Sequence, residues 1–252
     1  MVTDMTDGLN KALTPEALTP EALPANAPAP DALTPETLLA GIRETRLVAI
    51  VRGTNGRAAA QAALAVMDEG FRYVEIALTT PDALAAIRAV RDAAPAGCFV
   101  GAGTVLTAHD VDDVAAAGGQ FIVTPALAES IDASAGLGIP VLAGALTPSE
   151  AYEAMTRGAT AVKLFPASIG GPRYLKALLD PFPGIPFIPV GGVGLEEAAG
   201  YWQAGAIAVG LGSPLFGDAG SGGDLTPVRE RARRFVALAA EFDRQMAAES
   251  LR

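Results

Sequence analysis

The chain repeats one unit eight times: a short apolar segment, then a stretch in which apolar residues recur at helical spacing. Successive units begin roughly 20 to 27 residues apart. Alternating strands and helices are typical of a parallel sheet, and eight units close into a barrel, whereas a doubly wound open sheet more often has about five or six. The sequence therefore predicts an α/β fold, a TIM (β/α)8 barrel. The predicted strands are 46–52, 73–78, 98–104, 121–125, 140–145, 161–167, 187–193 and 206–212.

Five of the connecting helices share one ending, a glycine shortly before the next strand. It occurs in the segments DEGFRYV, AAGGQFI, GLGIPV, TRGATAV and QAGAIAV. Glycine readily adopts the left-handed conformation that ends a helix. We therefore expect a left-handed cap at each of these five positions.

The first 33 residues differ in composition from the rest, being rich in Ala, Pro and Thr, and the segment LTPEALTPEALP returns as LTPETLL at 33–39. Such a segment buries too little apolar surface to offset the entropy lost on ordering. Each TPEAL could begin a helical turn, with Thr as the cap and Pro at the first helical position. We predict a disordered low-complexity arm over 1–33 and a single barrel domain over 34–252, with a helix near its start and another from residue 227.

The acidic composition argues against several classes of partner. The formal net charge is −10, whereas nucleic acids and anionic membranes are bound by basic surfaces. The basic cluster at 229–234 is predicted to lie on the solvated face of the last helix. No apolar run approaches the roughly 20 residues that cross a bilayer, and the first ten residues lack the pattern of a secretory signal. We expect a cytoplasmic protein that binds a small molecule.

Two residue types occur once each, Cys98 and His109. Cys98 lies beside Phe99 and Val100, which indicates a buried and inert thiol. His109 begins a predicted helix beside Asp110 and is predicted to be exposed there, too isolated for a metal cluster or a nucleophile pair. No metal or other cofactor is therefore expected.

The cores of the eight predicted strands contain one carboxylate, Glu75, and one lysine, Lys163. Each has apolar neighbours on both sides, so strand alternation places both side chains inside the barrel. A buried charge without a partner is costly, so the two are either paired or catalytic. The apolar strand around Lys163 favours the neutral amine, which is the form that attacks a carbonyl. Spacing alone leaves a structural ion pair equally open.

Glycines at strand ends indicate an anion site. GAGT at 101–104 ends the third strand, PVGGV at 189–193 the seventh and GLGS at 210–213 the eighth. Glycine lets backbone N–H groups approach a ligand, and the loops after strands seven and eight are the usual phosphate site of this fold. Arg52, at the end of the first strand, could bind a carboxylate or phosphate, although a rim ion pair is an equally good interpretation. The pattern predicts a phosphorylated substrate.

Over roughly 46–217 the chain resembles the 2-dehydro-3-deoxy-phosphogluconate and phosphogalactonate aldolases, through the motifs AIVRG, GFRYVEIALTTP, GAGTVL, FIVTPA, AVKLFPAS, GPRYLKALL, VGGV and GLGS. The resemblance implies a Schiff-base aldolase, commonly a homotrimer, that releases pyruvate and glyceraldehyde 3-phosphate from a phosphorylated 2-keto-3-deoxy sugar acid. It implies that Lys163 forms the imine and that Glu75 is the acid and base. The substrate-binding residues implied by the motifs are Arg52, Thr104, Pro125, Phe165, Gly191, Gly192, Gly212 and Ser213.

Two positions favour the phosphogalactonate branch of this family. The phosphogluconate branch typically has an arginine where this chain has Thr79 and a threonine where it has Val190. The predicted activity is therefore that of a 2-dehydro-3-deoxy-6-phosphogalactonate aldolase. The alternatives are cleavage of the phosphogluconate epimer or of 4-hydroxy-2-oxoglutarate, a metal-free phosphosugar isomerase or synthase that uses Glu75 alone, and a noncatalytic phosphosugar-binding barrel.

Overall fold

The structure, a computed structural model, describes residues 33–250. Within that range eight parallel strands alternate with helices, as the repeat predicts. The strands are β1 Leu47–Val51, β2 Tyr73–Ala77, β3 Phe99–Gly103, β4 Ile122–Val123, β5 Val141–Ala145, β6 Ala161–Leu164, β7 Phe187–Pro189 and β8 Val209–Leu211. The helices are α1 Pro35–Thr45, α2 Gly56–Asp68, α3 Ala83–Ala93, α4 Ala108–Ala116, α5 Ser130–Gly136, α6 Pro148–Thr156, α7 Gly171–Leu179, α8 Leu195–Gln203, α9 Ser213–Phe216 and α10 Thr226–Ser250.

The strands form one sheet that closes on itself. Its order is β7-β6-β5-β4-β3-β2-β1-β8, and every pairing is parallel. The two outer strands meet through a bridge between Val190 and Gly210 and a 3.0 Å hydrogen bond from the Ile207 N–H to the Phe187 carbonyl. The predicted (β/α)8 barrel is therefore confirmed.

The strands are shorter than the apolar segments that predicted them. The largest differences are at 187–193, where β7 ends at Pro189, and at 206–212, where β8 is Val209–Leu211; at 161–167, β6 ends at Leu164. Phe165 and Pro166 stay apolar after leaving the sheet, and Pro166 has no N–H to donate to a ladder. Hydrophobicity therefore shows where an apolar segment lies, whereas the backbone hydrogen bonds decide where the strand ends.

Strand alternation divides the apolar residues into two layers. Val74 and Ile76 face outward and pack in the large core between the strands and helices. Tyr73 faces inward and packs with other inner residues such as Val48 and Leu142. Because side chains along a strand point alternately to opposite faces, Glu75 shares the inner face with Tyr73.

Helix α1 covers the inner layer at the amino end of the barrel. Its Leu38 and Ile42 are fully buried and belong to the inner cluster, together with Leu33. Thr34 accepts a hydrogen bond from the Thr37 N–H and Pro35 follows at the first helical position, which confirms the predicted start at this copy of the repeat. The rest of the predicted arm lies outside the described residues, and the domain boundary at residue 34 stays a prediction.

The predicted glycine caps are confirmed. The five glycines all have positive φ, between 71° and 106°, as a left-handed cap requires. Each lies between the end of a helix and the next strand, so the chain reverses there and enters the barrel from its amino end. The residues are Gly70, Gly118, Gly138, Gly158 and Gly205.

The basic cluster at 229–234 lies on α10, as predicted, but its face is only partly solvated. Ala232 is fully buried, while Arg229 binds Asp68 at 3.0 Å and Glu69 at 3.1 Å on α2. These pairs join α10 to the helix layer. Among the described helices, none combines the length and the apolar character that crossing a bilayer requires.

Candidate active site

Glu75 and Lys163 meet inside the barrel, as alternation predicts. Glu75 lies in the middle of β2 and is 1% exposed, and Lys163 lies on β6 and is 7% exposed. The Lys163 Nζ is 3.9 Å from the Glu75 Oε1. In the sheet, β3, β4 and β5 separate β2 from β6. The two side chains therefore meet across the barrel interior and not between neighbouring strands.

The space between the two charged groups is small and apolar. The cavity has a volume of about 10 Å³, roughly the space that one water molecule needs. Besides Glu75 and Lys163, its lining is apolar, consisting of Val48, Ile50, Val123, Leu142, Ile188, Val190 and Gly210. The two charged groups therefore meet at low dielectric, where electrostatic interactions are stronger than in water.

Burial raises the pKa of the Glu75 carboxyl above its usual range, against the opposing attraction of Lys163 and Arg52. The Glu75 Oε2 is buried and has no hydrogen-bond partner among the described residues. An ionised carboxylate normally accepts several hydrogen bonds, so this environment favours the proton-bearing form. Glu75 is therefore suited to take up a proton and return it.

Two glycines make room for the charged pair. A Cβ atom on Gly103 of β3 would lie 2.8 Å from both Glu75 carboxylate oxygens. On β5, Gly144 pairs in register with Lys163, and a Cβ there would lie 2.3 Å from the Pro125 carbonyl carbon. Glycine inside a strand often marks such a close approach. Each charged side chain thus stands beside a position where no other side chain fits.

Phe165 stands at the mouth of the barrel above Lys163. Its ring centre is 5.4 Å from the Lys163 Nζ, and the residue is 37% exposed. A Cβ on Gly191 would lie 3.2 Å from the Phe165 ring. The first residue after β6 therefore connects the lysine with the loop that follows β7.

Arg52 and Thr104 meet on the opposite side of the mouth. The Arg52 Nη2 is 3.3 Å from the Thr104 Oγ1. Thr104 has φ of 60°, a left-handed conformation that is rare for a β-branched residue. Such strain is concentrated at functional sites. Arg52 is exposed, and its positive charge opposes the rise in pKa that burial causes at Glu75. Arg52 and Thr104 therefore belong to the same electrostatic site as Glu75.

The loops after β7 and β8 lie side by side, because the Val190–Gly210 bridge joins the strands that precede them. Gly191 and Gly192 have φ of 96° and 78°, so both use backbone conformations natural to glycine. Gly212 follows β8 and Ser213 begins α9. The Ser168 N–H donates to the Gly191 carbonyl at 3.1 Å, which joins this side to the loop after β6.

Every residue that the sequence marked for substrate binding follows the carboxyl end of a strand, and Pro125 lies over Gly144 beside Lys163. The sequence did not mark Gly103 or Gly144 individually. An isolated glycine in an apolar strand is a signal for close backbone approach, but the neighbour that it accommodates is visible only in the fold.

Cys98 and His109 lie outside the barrel strands, Cys98 just before β3 and His109 on α4. Cys98 is partly rather than fully buried, burial raises the pKa of its thiol, and the thiol donates to the Phe71 carbonyl at 3.6 Å. His109 is 83% exposed in the first turn of α4, as predicted. Over residues 33–250, the His, Cys, Asp and Glu side chains form no group of three or more that could hold a metal ion.

The fold and the site define an eightfold barrel with a lysine–carboxylate pair in its interior. Residues 39–227 match the family described as Aldolase: KDPG and KHG aldolase. The chain belongs to that family, a family of lyases.

Relatives with two substrate names are similar to this chain. The probable 2-dehydro-3-deoxy-6-phosphogalactonate aldolase of Rhizobium meliloti is 38% identical over 79% of this chain and 92% of that protein. The 2-dehydro-3-deoxy-6-phosphogalactonate aldolase of Escherichia coli is 42% identical over 68% of this chain and 84% of that protein. The 2-dehydro-3-deoxy-phosphogluconate aldolase of Dickeya dadantii is 36% identical over 69% and 83%.

Solved structures agree with the fold. A structure described as native KDPGal has a TM-score of 0.74 and 39% identity, covering 79% of this chain and 96% of that one. A porous protein cage designed by fusing symmetric oligomeric domains has a TM-score of 0.77 and 38% identity, covering 82% of this chain and 76% of that one. The barrel and its family thus rest on both sequence and structure.

Proposed function

We propose that this protein is a Schiff-base aldolase that cleaves 2-dehydro-3-deoxy-6-phosphogalactonate to pyruvate and D-glyceraldehyde 3-phosphate. The observation that carries the proposal is the 3.9 Å contact between the Lys163 Nζ and the Glu75 Oε1 inside an apolar cavity. An ion pair that served only as surface charge would not be buried in this way. An amine and a carboxyl in contact at low dielectric have what imine chemistry requires, a nucleophile and a proton carrier.

The first step is attack of the neutral Lys163 amine on the C2 ketone. The carbinolamine loses water with the help of a proton from Glu75, leaving an iminium whose positive nitrogen accepts electrons. Glu75, as carboxylate, then takes the proton of the C4 hydroxyl. The electrons of the C3–C4 bond move to the iminium, so the aldehyde leaves and an enamine of pyruvate remains on Lys163.

The second half returns the proton. Glu75 protonates C3 of the enamine, and water hydrolyses the resulting iminium to pyruvate and the free amine. One acid-base group serves all steps because Glu75 alternates: it gives a proton to the leaving water, takes one from the C4 hydroxyl, gives it to C3 and takes one back during hydrolysis. The raised pKa of Glu75 favours this role, since a carboxyl that titrates closer to neutral pH both accepts and donates protons effectively.

The substrate would lie across the mouth of the barrel. Arg52 and Thr104, in contact at 3.3 Å, would bind the carboxylate of the keto acid, with Pro125 and Phe165 enclosing the carbons next to Lys163. The phosphate would bind in the adjoining loops after β7 and β8, where backbone N–H groups can approach it. Those loops supply Gly191, Gly192, Gly212 and Ser213.

The galactonate epimer is preferred on two grounds. Two of the relatives described above carry that substrate in their names. In addition, Val190 lines the cavity with Lys163 and Glu75, and Thr79 is exposed after β2. The phosphogluconate branch typically has an arginine at the position of Thr79 and a threonine at the position of Val190, and this chain has neither.

The same resemblance favours a cytoplasmic homotrimer. A structure similar to this chain was built by fusing symmetric oligomeric domains, which is in keeping with self-association. Light scattering on the purified chain would give its molecular mass, and three times 25.5 kDa is the expected value. A monomeric mass would contradict the trimer and leave the activity proposal untouched.

Reduction with borohydride in the presence of pyruvate tests the imine. We expect a stable mass adduct on the peptide that contains Lys163. Lys176→Ala is the matched control, because Lys176 is an exposed lysine on α7, and this variant should keep the adduct. Absence of the adduct from the wild-type protein would contradict the Schiff-base mechanism.

Coupled detection of pyruvate from the two epimeric phospho-sugar acids tests the substrate. The proposal expects a higher kcat/KM for the phosphogalactonate. A higher value for the phosphogluconate would reverse the branch assignment while keeping the mechanism.

A further inference from the structure

Thr124 is a buried threonine that follows β4 and makes two hydrogen bonds with its hydroxyl. The Thr124 Oγ1 accepts from the Gly144 N–H at 2.9 Å and donates to the Ala126 carbonyl at 2.6 Å. Its own N–H continues the ladder by donating to the Leu142 carbonyl at 3.0 Å. The chain leaves the sheet at this residue, and the hydroxyl takes over as the contact between the departing loop and β5.

The loop that Thr124 holds lies against the strand next to Lys163. A Cβ on Gly144 would be 2.3 Å from the Pro125 carbonyl carbon and 2.6 Å from the Ala126 nitrogen. Gly144 and Lys163 are partners in register, and paired residues on neighbouring strands face the same side of a sheet. The Pro125–Ala126 peptide therefore occupies the inward position beside Lys163 that a side chain at 144 would otherwise take.

We propose that Thr124 is a positioning residue that fixes this peptide as the wall against which a keto acid reaches Lys163. The inference rests on the proposed function. Thr124 is fully buried, and its hydroxyl is engaged by the Gly144 N–H and the Ala126 carbonyl, so it acts through the loop. Without the hydroxyl, the Gly144 N–H and the Ala126 carbonyl lose their partner, and the loop shifts to find others. A shift of about 1 Å near the reacting groups can cost about 10²-fold in rate.

Thr160 provides a matched control on the other side of β5, where it immediately precedes β6. It is 8% exposed, and its Oγ1 accepts from the Val141 N–H at 3.1 Å. This is the same kind of hydrogen bond to β5 as that of Thr124, but at the amino end of the strand. Thr124→Val and Thr160→Val each remove the acceptor of one β5 N–H, near opposite ends of the strand, and Thr124→Val also removes the bond to the Ala126 carbonyl. A role confined to holding β5 would affect both variants alike.

The experiment measures the pyruvate concentration that half-saturates borohydride trapping at Lys163, with thermal unfolding as the measure of stability. Pyruvate reports on the lysine end of the site because it carries no phosphate. Thr124→Val should raise the half-saturating concentration about tenfold, corresponding to the loss of one buried hydrogen-bonded contact. Thr160→Val should stay within about twofold of the wild type, and Thr124→Ser, which keeps the hydroxyl, should be rescued to about the same level.

Each outcome decides the inference. Equal half-saturation for Thr124→Val, Thr160→Val and the wild type would overturn it while leaving the aldolase proposal in place. Failure of the wild type to trap pyruvate would overturn both. If Thr124→Val does not fold, Thr124→Ala is measured instead, with the same expected rise; a wild-type value for that variant would also overturn the inference.

Discussion

The two ends of the barrel interior are built from opposite kinds of residue. At the amino end, Tyr73 stacks on Phe99 with ring centres 5.5 Å apart and meets Phe121 edge-on at 6.5 Å. Leu38 and Ile42 of α1 pack in the same cluster. At the carboxyl end, Glu75 and Lys163 stand among glycines, and one Glu75 carboxylate oxygen has no hydrogen-bond partner within residues 33–250.

The aromatic layer and the charged layer are adjacent. Tyr73 and Glu75 are two residues apart on β2 and face the same way. The aromatic layer gains stability from apolar burial, whereas the charged layer loses stability by holding groups away from water. The barrel thus separates stability from chemistry along its axis. The contrast predicts that substitutions at one end affect activity and those at the other affect folding.

Lys163→Ala should have the largest effect. Loss of the nucleophile should lower kcat for pyruvate release by about 10⁴-fold or more, because Lys163 is the one amine among the described residues that lines the cavity. The coupled assay with phosphogalactonate measures this, with Lys176→Ala as the control. A variant that kept more than about one hundredth of the wild-type rate would place the chemistry elsewhere.

Glu75→Gln should follow, with a fall in kcat of about 10²- to 10⁴-fold, the usual contribution of general acid-base catalysis. Borohydride trapping with pyruvate should still label Lys163, more slowly. Unchanged turnover would assign the proton transfers to another group and make Glu75 a structural partner of Lys163.

The same variant should be more stable than the wild type at high pH. Burial raises the pKa of Glu75, so the folded state binds this proton more tightly than the unfolded state, whose value is near 4.5. Stability is therefore lost as pH rises through the folded pKa. Glu75→Gln removes that loss, and its Tm should exceed that of the wild type by a few degrees at pH 8, with a smaller gain at pH 4.5. An equal gain at both pH values would contradict the assigned cause.

Leu38→Ala tests the amino end. Removing a fully buried leucine should lower the free energy of unfolding by about 2–5 kcal/mol, measured by urea denaturation. The kcat per folded molecule should stay unchanged below the unfolding transition. Leu39→Ala is the control on the same helix, because Leu39 is only partly buried. A loss of kcat as large as the loss of stability would show that the two ends are coupled.

Gly103→Ala should have the smallest effect of these changes. The added methyl group would lie 2.8 Å from the Glu75 carboxylate and push it aside, so kcat should fall about tenfold. Gly136→Ala is the control, since a Cβ there meets nothing within 4 Å. Equal kinetics for the two variants would show that the carboxylate has room to move.

The sequence predicts the barrel well because its information is periodic. Eight apolar segments with glycine-ended helices define the architecture, and alternation alone places Glu75 and Lys163 inside. The ends of the strands were overestimated because an apolar run does not stop where its hydrogen bonds do. Thr124 was not marked because its role depends on the register of β4 with β5, which one sequence does not reveal. The contact between Gly103 and Glu75 joins two strands and was hidden for the same reason.

The contact between β7 and β8 is the place where the barrel wall is expected to open first. Both strands have three residues, and the Val190–Gly210 bridge lies outside the regular ladders. Amide hydrogen exchange reports local opening, which starts where few hydrogen bonds hold a segment. Exchange should therefore be fastest at this contact among the strand pairs. A phosphate bound between the loops that follow β7 and β8 would hold these two strands together. Binding of the substrate at the mouth would then also close the barrel wall.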